Sequence, residues 1–150
     1  MDDLIAAGFQ NISVLDVSSR ALETTRQRLG QHSANVHRIE ADITRANLPP
    51  LAYDVWHDRA VFHFLTQAED RQRYIQTVRH AVRQGGHVIV ATFAPDGPDR
   101  CSGLSVVRYN EDSLHSEFGD GFELVNSAGE THHTPFGTEQ KFTYCYCRKY

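Results

Sequence analysis

A chain of 150 residues, 40% hydrophobic and 23% charged, can bury a core and is too apolar to stay disordered. Its net charge of −4, with lysines and arginines scattered, leaves no electrostatic footprint for nucleic acid, and no apolar stretch nears the roughly 18 residues of a membrane span. Three cysteines (Cys101, Cys145 and Cys147) and an acidic N-terminus without a basic region predict reduced thiols in the cytoplasm, not a disulfide framework or a secretory signal.

Asp3–Ala7 read as the tail of a helix stopped by Gly8. Asn11–Asp16 (NISVLD) is a short, β-branched apolar run, the pattern of a strand. Ser18 or Ser19 then caps a helix whose Leu22, Thr25 and Leu29 share a face and which Gly30 ends. Asn35–Ile43 alternates loosely and predicts a second strand ending near Glu40. After the Leu48-Pro49-Pro50 loop, Tyr53–His57 reads as a third strand. Thr66-Gln67-Ala68-Glu69 has the form of a capping box, opening a helix with Tyr74, Ile75, Val78, Ala81 and Val82 inward and Gly85-Gly86 as its stop. His87–Phe93 (HVIVATF) is the continuous apolar run of a central parallel strand.

The segment APDGPDRCSG reads as loop, and Asn110 caps a short helix carrying Leu114 and Phe118. Phe122–Asn126 and Lys141–Arg148 predict two antiparallel strands, since no helix signal separates them. The order predicts one α/β domain over residues 1–150, a doubly wound, Rossmann-like sheet, mostly parallel with an antiparallel C-terminal end.

Ligands of such sheets bind at the carboxyl ends of the strands. There stand Asp16, then Asp42 and Ile43, then His57, Asp58 and Arg59, then Phe93 to Asp96. A carboxylate can accept from two adjacent ribose hydroxyls, yet Asp16 equally suits a helix N-terminus and Asp42 a turn. Trp56, Phe62, Phe64 and Phe93 can face a cationic ligand or simply fill the core. His57 and His63 can serve as bases or as structural polar groups. Cys145 and Cys147 share a strand face; with Cys101 or His132-His133 they can bind a metal, though their spacing is not that of a zinc site and buried thiols are the simpler reading. Arg100, Arg108, His133 and Gln140 lie in polar loops that can overhang a bound ligand or be ordinary surface chemistry.

The succession AGFQNISVLDVSSRAL, VHRIEADITRANLP, YDVWHDRAVFHFL, VRHAVRQGGHVIVATF and EQKFTYCYC resembles the class I S-adenosylmethionine-dependent methyltransferases over nearly the whole chain. The resemblance implies S-adenosyl-L-methionine as cofactor and a small-molecule methyl acceptor. It assigns Asp16 to the cofactor's ribose and Asp42 and Ile43 to its adenine, and it counts Val17 and Asp58 among the cofactor-binding residues, the HDRAVFHFL segment lying under the methionine end. HDRAVFHFL is similar to the family's DRGxxHHL segment; it nominates His57, Asp58, Arg59 and His63 as catalytic, with Ala60 in the family's glycine position.

The family's E/D-x-G-x-G-x-G loop is not found ahead of Asp16, and Gly119-Asp-Gly121 precedes a strand. The reading is therefore of an N-terminally truncated domain lacking a central strand between those ending at Asp16 and His57, with impaired activity. Open strand edges then predict direct pairing of those two strands or a homodimer. Two other functions compete: a non-catalytic remnant that associates through its sheet edges, and a dinucleotide-binding oxidoreductase using Asp16 for ribose.

Overall fold

The computed structural model describes residues 1–150, in two units, Met1–Ala46 and Asn47–Tyr150. In the first, helix α1 (Asp2–Ala6) leads through Gly8 to strand β1 (Ile12–Asp16). The Gly8 N–H closes the helix on Ile5 O at 3.0 Å with φ +90°, a conformation other residues rarely adopt. Helix α2 (Ser19–Leu29) starts where Ser18 Oγ accepts from the Ala21 N–H at 3.2 Å. It buries Leu22 and Leu29, then tightens into a 3₁₀ turn, Gly30–Asn35. Strand β2 (Val36–Glu40) runs parallel to β1, in register from Ile12 opposite Val36 to Asp16 opposite Glu40. This is the expected strand–helix–strand unit.

The second unit holds strand β3 (Tyr53–Arg59), helix α3 (Ala68–Ala81), strand β4 (Val82–Phe93), the two-residue strands β5 (Arg100–Cys101) and β6 (Leu104–Ser105), helix α4 (Glu111–Phe118), and strands β7 (Phe122–His133) and β8 (Glu139–Lys149). Its main sheet has the order β3-β4-β8-β7, with β3 parallel to β4 and β8 antiparallel to both neighbours. Period-2 alternation separates two faces. Asp58, Val90 and Cys145 align on one, where α3 and α4 bury Tyr74, Val78, Leu114 and Phe118. Arg59, Ala91 and Tyr144 align on the other.

Several boundaries differ from the sequence reading. β3 runs on to Arg59, so Asp58 and Arg59 are strand residues paired with Val90 and Ala91. Thr66 does not cap α3: the cap is Gln67, without a side-chain hydrogen bond. The Thr66 N–H instead donates to Phe64 O, and its carbonyl accepts from Arg71. Gly85-Gly86 do not end the helix. α3 stops at Ala81, and the glycines lie inside β4, where the β3 register shifts between Tyr53 and Val55. A Cβ on Gly86 would stand 2.6 Å from Val82 Cγ1 and 3.1 Å from Asp54 O, so close backbone approach explains this glycine.

The loop after β4 contains the β5–β6 hairpin, turned by Ser102 and Gly103 at φ 49° and 79°. β7 and β8 extend beyond their predicted ends, leaving only residues 134–138 as turn. Asn110 caps α4 as expected, its side chain accepting from Ser113 N at 2.8 Å and Ser113 Oγ returning the bond. β1 and β2 form a two-stranded sheet, and β5 and β6 another. No helix is long and apolar enough to cross a membrane.

Candidate functional site

At the carboxyl end of the β1–β2 pair, two carboxylates organise the turns that follow their strands. Asp16 Oδ1 accepts from the Ser18 N–H at 2.8 Å. Asp42 Oδ1 accepts from the N–H and the hydroxyl of Thr44, each at 2.8 Å. Val17, between strand and helix, is 72% exposed, and Ile43 is buried. Carboxylates at neighbouring parallel strand ends, beside an apolar side chain open to solvent, suit a nucleoside: acceptors for ribose hydroxyls and a base amino group, and a surface for the ring.

In the second unit the end of β3 builds a different arrangement. Asp58 is buried on the helix face and accepts from the Val61 N–H at 2.9 Å, the Phe62 N–H at 3.0 Å and the Tyr74 hydroxyl at 2.6 Å. Tyr74 in turn accepts from Trp56 Nε1 at 3.0 Å. Burial outweighs these donors and pushes the Asp58 carboxyl up to about 6. Burial, with the Asp58 charge beside it, also holds the Tyr74 phenol well above its usual value. The carboxylate thus faces inward and pins the tight turn after β3. In that turn Ala60 sits at φ +67°, which explains a glycine at this position in the resembling motif.

His63 closes the 3₁₀ turn Phe62–Phe64 with no exposed surface. Its Nδ1 accepts from the Phe93 N–H at 3.3 Å, so the neutral ring carries its proton on Nε2, which meets no partner. The rings of Phe64 and Phe93 lie 4.7 Å away, and burial lowers the His63 pKa to about 4. Desolvation also lowers that of His57, helped by the Arg59 charge.

On the opposite face Arg59 Nε donates to the Tyr144 hydroxyl at 2.9 Å, and that hydroxyl donates to Glu130 Oε2 at 2.6 Å. The guanidinium lies 4.4 Å over the Phe142 ring. Phe142, Phe93 and Ala91 form a buried cluster packed by Ala60, Cys101, Val106 and Tyr144.

The structure brings Asp58, Arg59 and His63 onto one strand end and turn, with Asp58 and Arg59 on opposite faces. Arg100 and Arg108 are tied to their own loops, donating to Gly103 O and Gly97 O, and Gln140 lies opposite His132 in the β7–β8 ladder. Cys145 and Cys147 are buried free thiols with sulfurs 3.2 Å apart. The sequence reading missed the polar roles of Trp56, Tyr74, Tyr144 and Glu130. Tyr74 carried a usable signal, because a tyrosine on a buried helix face needs a partner for its hydroxyl.

Residues 2–88, more than half of the chain, match the model of a family described as a methyltransferase domain. The chain belongs to this methyltransferase family. The match contains Asp16, Val17, Asp42, Ile43, His57, Asp58, Arg59 and His63, while Tyr144 and Glu130 lie beyond it. No curated protein matches the chain in sequence.

Solved methyltransferase structures share the fold. A S-adenosylmethionine-dependent methyltransferase from Methanosarcina mazei superposes with a TM-score of 0.79 at 13% identity, covering 98% of this chain and 85% of that one. The N-methyltransferase NodS from Bradyrhizobium japonicum, in complex with S-adenosylhomocysteine, gives 0.74 at 14% identity over 99% of this chain and 71% of that one. The 1,6-didemethyltoxoflavin-N1-methyltransferase of Burkholderia thailandensis gives 0.73 at 16%, over 99% and 64%.

Proposed function

We propose that this methyltransferase domain uses S-adenosylmethionine to methylate a small molecule. The observation that carries the reading is the pair of strand-end carboxylates with exposed Val17, inside a chain that matches a methyltransferase family model. Relatives in fold, NodS with S-adenosylhomocysteine and the toxoflavin-precursor enzyme with its small acceptor, support the cofactor and acceptor class.

S-adenosylmethionine, when bound, supplies a methyl group on a sulfonium. Asp16 accepts from ribose hydroxyls, Val17 covers the ring, and Asp42 with the Ile43 backbone receives the adenine edge. Asp58 acts as a positioning residue: by holding the Val61 and Phe62 N–H groups it sets the turn that carries His63. With a pKa near 4, His63 stays neutral at pH 7, so it shapes a dry wall with Phe93 and takes no proton. Alignment and water exclusion are the main requirements of in-line transfer from a neutral leaving group.

No glycine-rich loop stands ahead of Asp16 in these 150 residues to approach the cofactor's amino-acid end, so the reading for these residues by themselves is impaired, weak cofactor binding. Titration of the ¹⁵N-labelled protein with S-adenosylhomocysteine is expected to shift amides at residues 16–18 and 42–44 with millimolar affinity. No shift at saturating ligand defeats the cofactor assignment, and micromolar affinity defeats the impairment.

A further inference from the structure

We infer that Arg59 is the recognition point for a carboxylate on the methyl acceptor, an inference that rests on the methyltransferase reading above. Arg59 is the last residue of β3, and the carboxyl ends of parallel strands are where doubly wound sheets place their ligands. Its guanidinium is set in place from two sides, its Cζ 4.4 Å over the Phe142 ring and its Nε–H on Tyr144 Oη at 2.9 Å. Tyr144 is itself oriented by Glu130. A side chain as flexible as arginine, fixed this way, presents its terminal nitrogens at low entropic cost.

Nη2 makes a loose ion pair with Glu130 Oε2 at 3.5 Å, too long for a good N–H···O bond, and that oxygen already accepts from Tyr144 at 2.6 Å, so the guanidinium has further N–H groups left to donate. A guanidinium edge pairs with a planar carboxylate through two parallel bonds. Glu130 also decides which anion fits. Paired with Glu130, the guanidinium offers an anion little net Coulomb attraction and holds it through its N–H donors, so a singly charged carboxylate is favoured over a phosphate dianion, which costs more to desolvate.

Beneath the guanidinium, Phe142 and Phe93 carry a partly exposed apolar wall from Ala60, Cys101, Val106 and Tyr144. The group that fits is therefore a carboxylate on a flat, apolar or aromatic body. Tyr144 and Glu130 are positioning residues.

Benzoate is the probe, with benzamide as its uncharged counterpart and inorganic phosphate as the dianion. The readout is the Arg59 Nε–H signal by NMR. Benzoate is expected to shift this signal saturably, benzamide and phosphate to bind about tenfold or more weakly, and Arg59→Lys, followed through the Phe142 and Tyr144 ring signals, to lose benzoate by a similar factor. Equal binding of benzamide, preferential binding of phosphate, or benzoate binding that survives Arg59→Lys overturns the inference. S-adenosylhomocysteine titrated into the same samples separates the two claims. Shifts at residues 16–18 without a benzoate response refute only the acceptor assignment; a benzoate response without those shifts refutes the cofactor and leaves a carboxylate site.

Discussion

The hydroxyl of Tyr74, on α3, donates to Oδ2 of Asp58, on β3, at 2.6 Å and in the same geometry accepts from Trp56 Nε1 at 3.0 Å. Three side chains of two elements thus share one buried oxygen. Tyr74→Phe keeps the ring among Trp56 and Phe62 but strips a donor from a buried carboxylate and the acceptor from the indole. The expected loss is about 2–3 kcal/mol, as for a hydrogen bond to a charged group with partners left unsatisfied. Urea unfolding measures it, and a loss below about 0.5 kcal/mol would show that the network relaxes around the missing oxygen.

Asp58 and His63 oppose each other in pH dependence. Asp58 titrates near 6 in the fold against 3.8 for an ordinary aspartate, so its contribution is full below pH 4 and is lost as pH rises through 6. His63 titrates near 4 against 6.5, so its contribution is present above 6.5 and is lost as pH falls through 4. Between these values the two slopes cancel in part. Asp58→Asn removes one, and the variant is expected to lose stability on acidification from pH 6.5 to 4.5 more steeply than the unmodified protein. Urea midpoints at three pH values test it; parallel profiles would refute the assignment to Asp58.

Strand and helix identities were legible wherever one chemical rule decided them: the β-branched run Ile12–Asp16, the Ser18 and Asn110 caps, the apolar run ending at Phe93. Boundaries failed where tertiary packing overrides local signals. Gly85-Gly86 resemble a helix stop, but Gly86 is set by close approach to Val82, Arg83 and, across the sheet, the Asp54 carbonyl, which no local pattern reveals. Thr66 and Glu69 have capping-box spacing, but Thr66 is held by Phe64 O and Arg71. At the candidate site the strand-end acids were legible from topology alone. The Arg59–Tyr144–Glu130 chain was not, because residue 59 meets residues 144 and 130 only through the β3-β4-β8-β7 order.

Backbone conformation gives a pair of opposite predictions. Ala60 adopts φ +67°, a region costing about 1–2 kcal/mol for a residue with a Cβ. Ala60→Gly relieves that, offset in part by glycine's unfolded-state entropy, and a net gain of about 0.5 kcal/mol is expected, read as a thermal midpoint about 1–2 °C higher. Gly86→Ala places its methyl 2.6 Å from Val82 Cγ1 and 2.9 Å from Arg83 O. Overpacking of this kind costs about 1–3 kcal/mol. A stable Gly86→Ala protein with an unchanged midpoint would mean that β4 has room to shift there.

Lys149, near the C-terminus, is buried and donates from Nζ to the Arg79 carbonyl at 2.5 Å and the Val82 carbonyl at 2.7 Å. It fastens β8 to the end of α3, where helix carbonyls lack partners. Lys149→Met retains the aliphatic stem and removes both bonds, for an expected loss of about 1–3 kcal/mol after the relief of burying an ammonium is subtracted. Hydrogen exchange locates the effect: amides at the α3–β4 junction should open first, and a uniform loss across the unit would instead point to packing.

The two strand-end acids carry the cofactor assignment, so their neutral variants test it most directly. Asp16→Asn preserves the bond from Ser18, since an amide oxygen replaces Oδ1, but it removes the charge that two adjacent hydroxyls share. A charged hydrogen bond contributes about 1.5–3 kcal/mol, so S-adenosylhomocysteine should bind about 10- to 100-fold more weakly while urea stability changes by less than about 0.5 kcal/mol. Adenine should bind Asp16→Asn as it binds the unmodified chain, because the base is assigned to Asp42 and Ile43. Asp42→Asn reverses the pattern and weakens adenine itself. If Asp16→Asn weakens adenine and S-adenosylhomocysteine equally, the ribose does not lie at Asp16, and the orientation proposed for the cofactor is wrong.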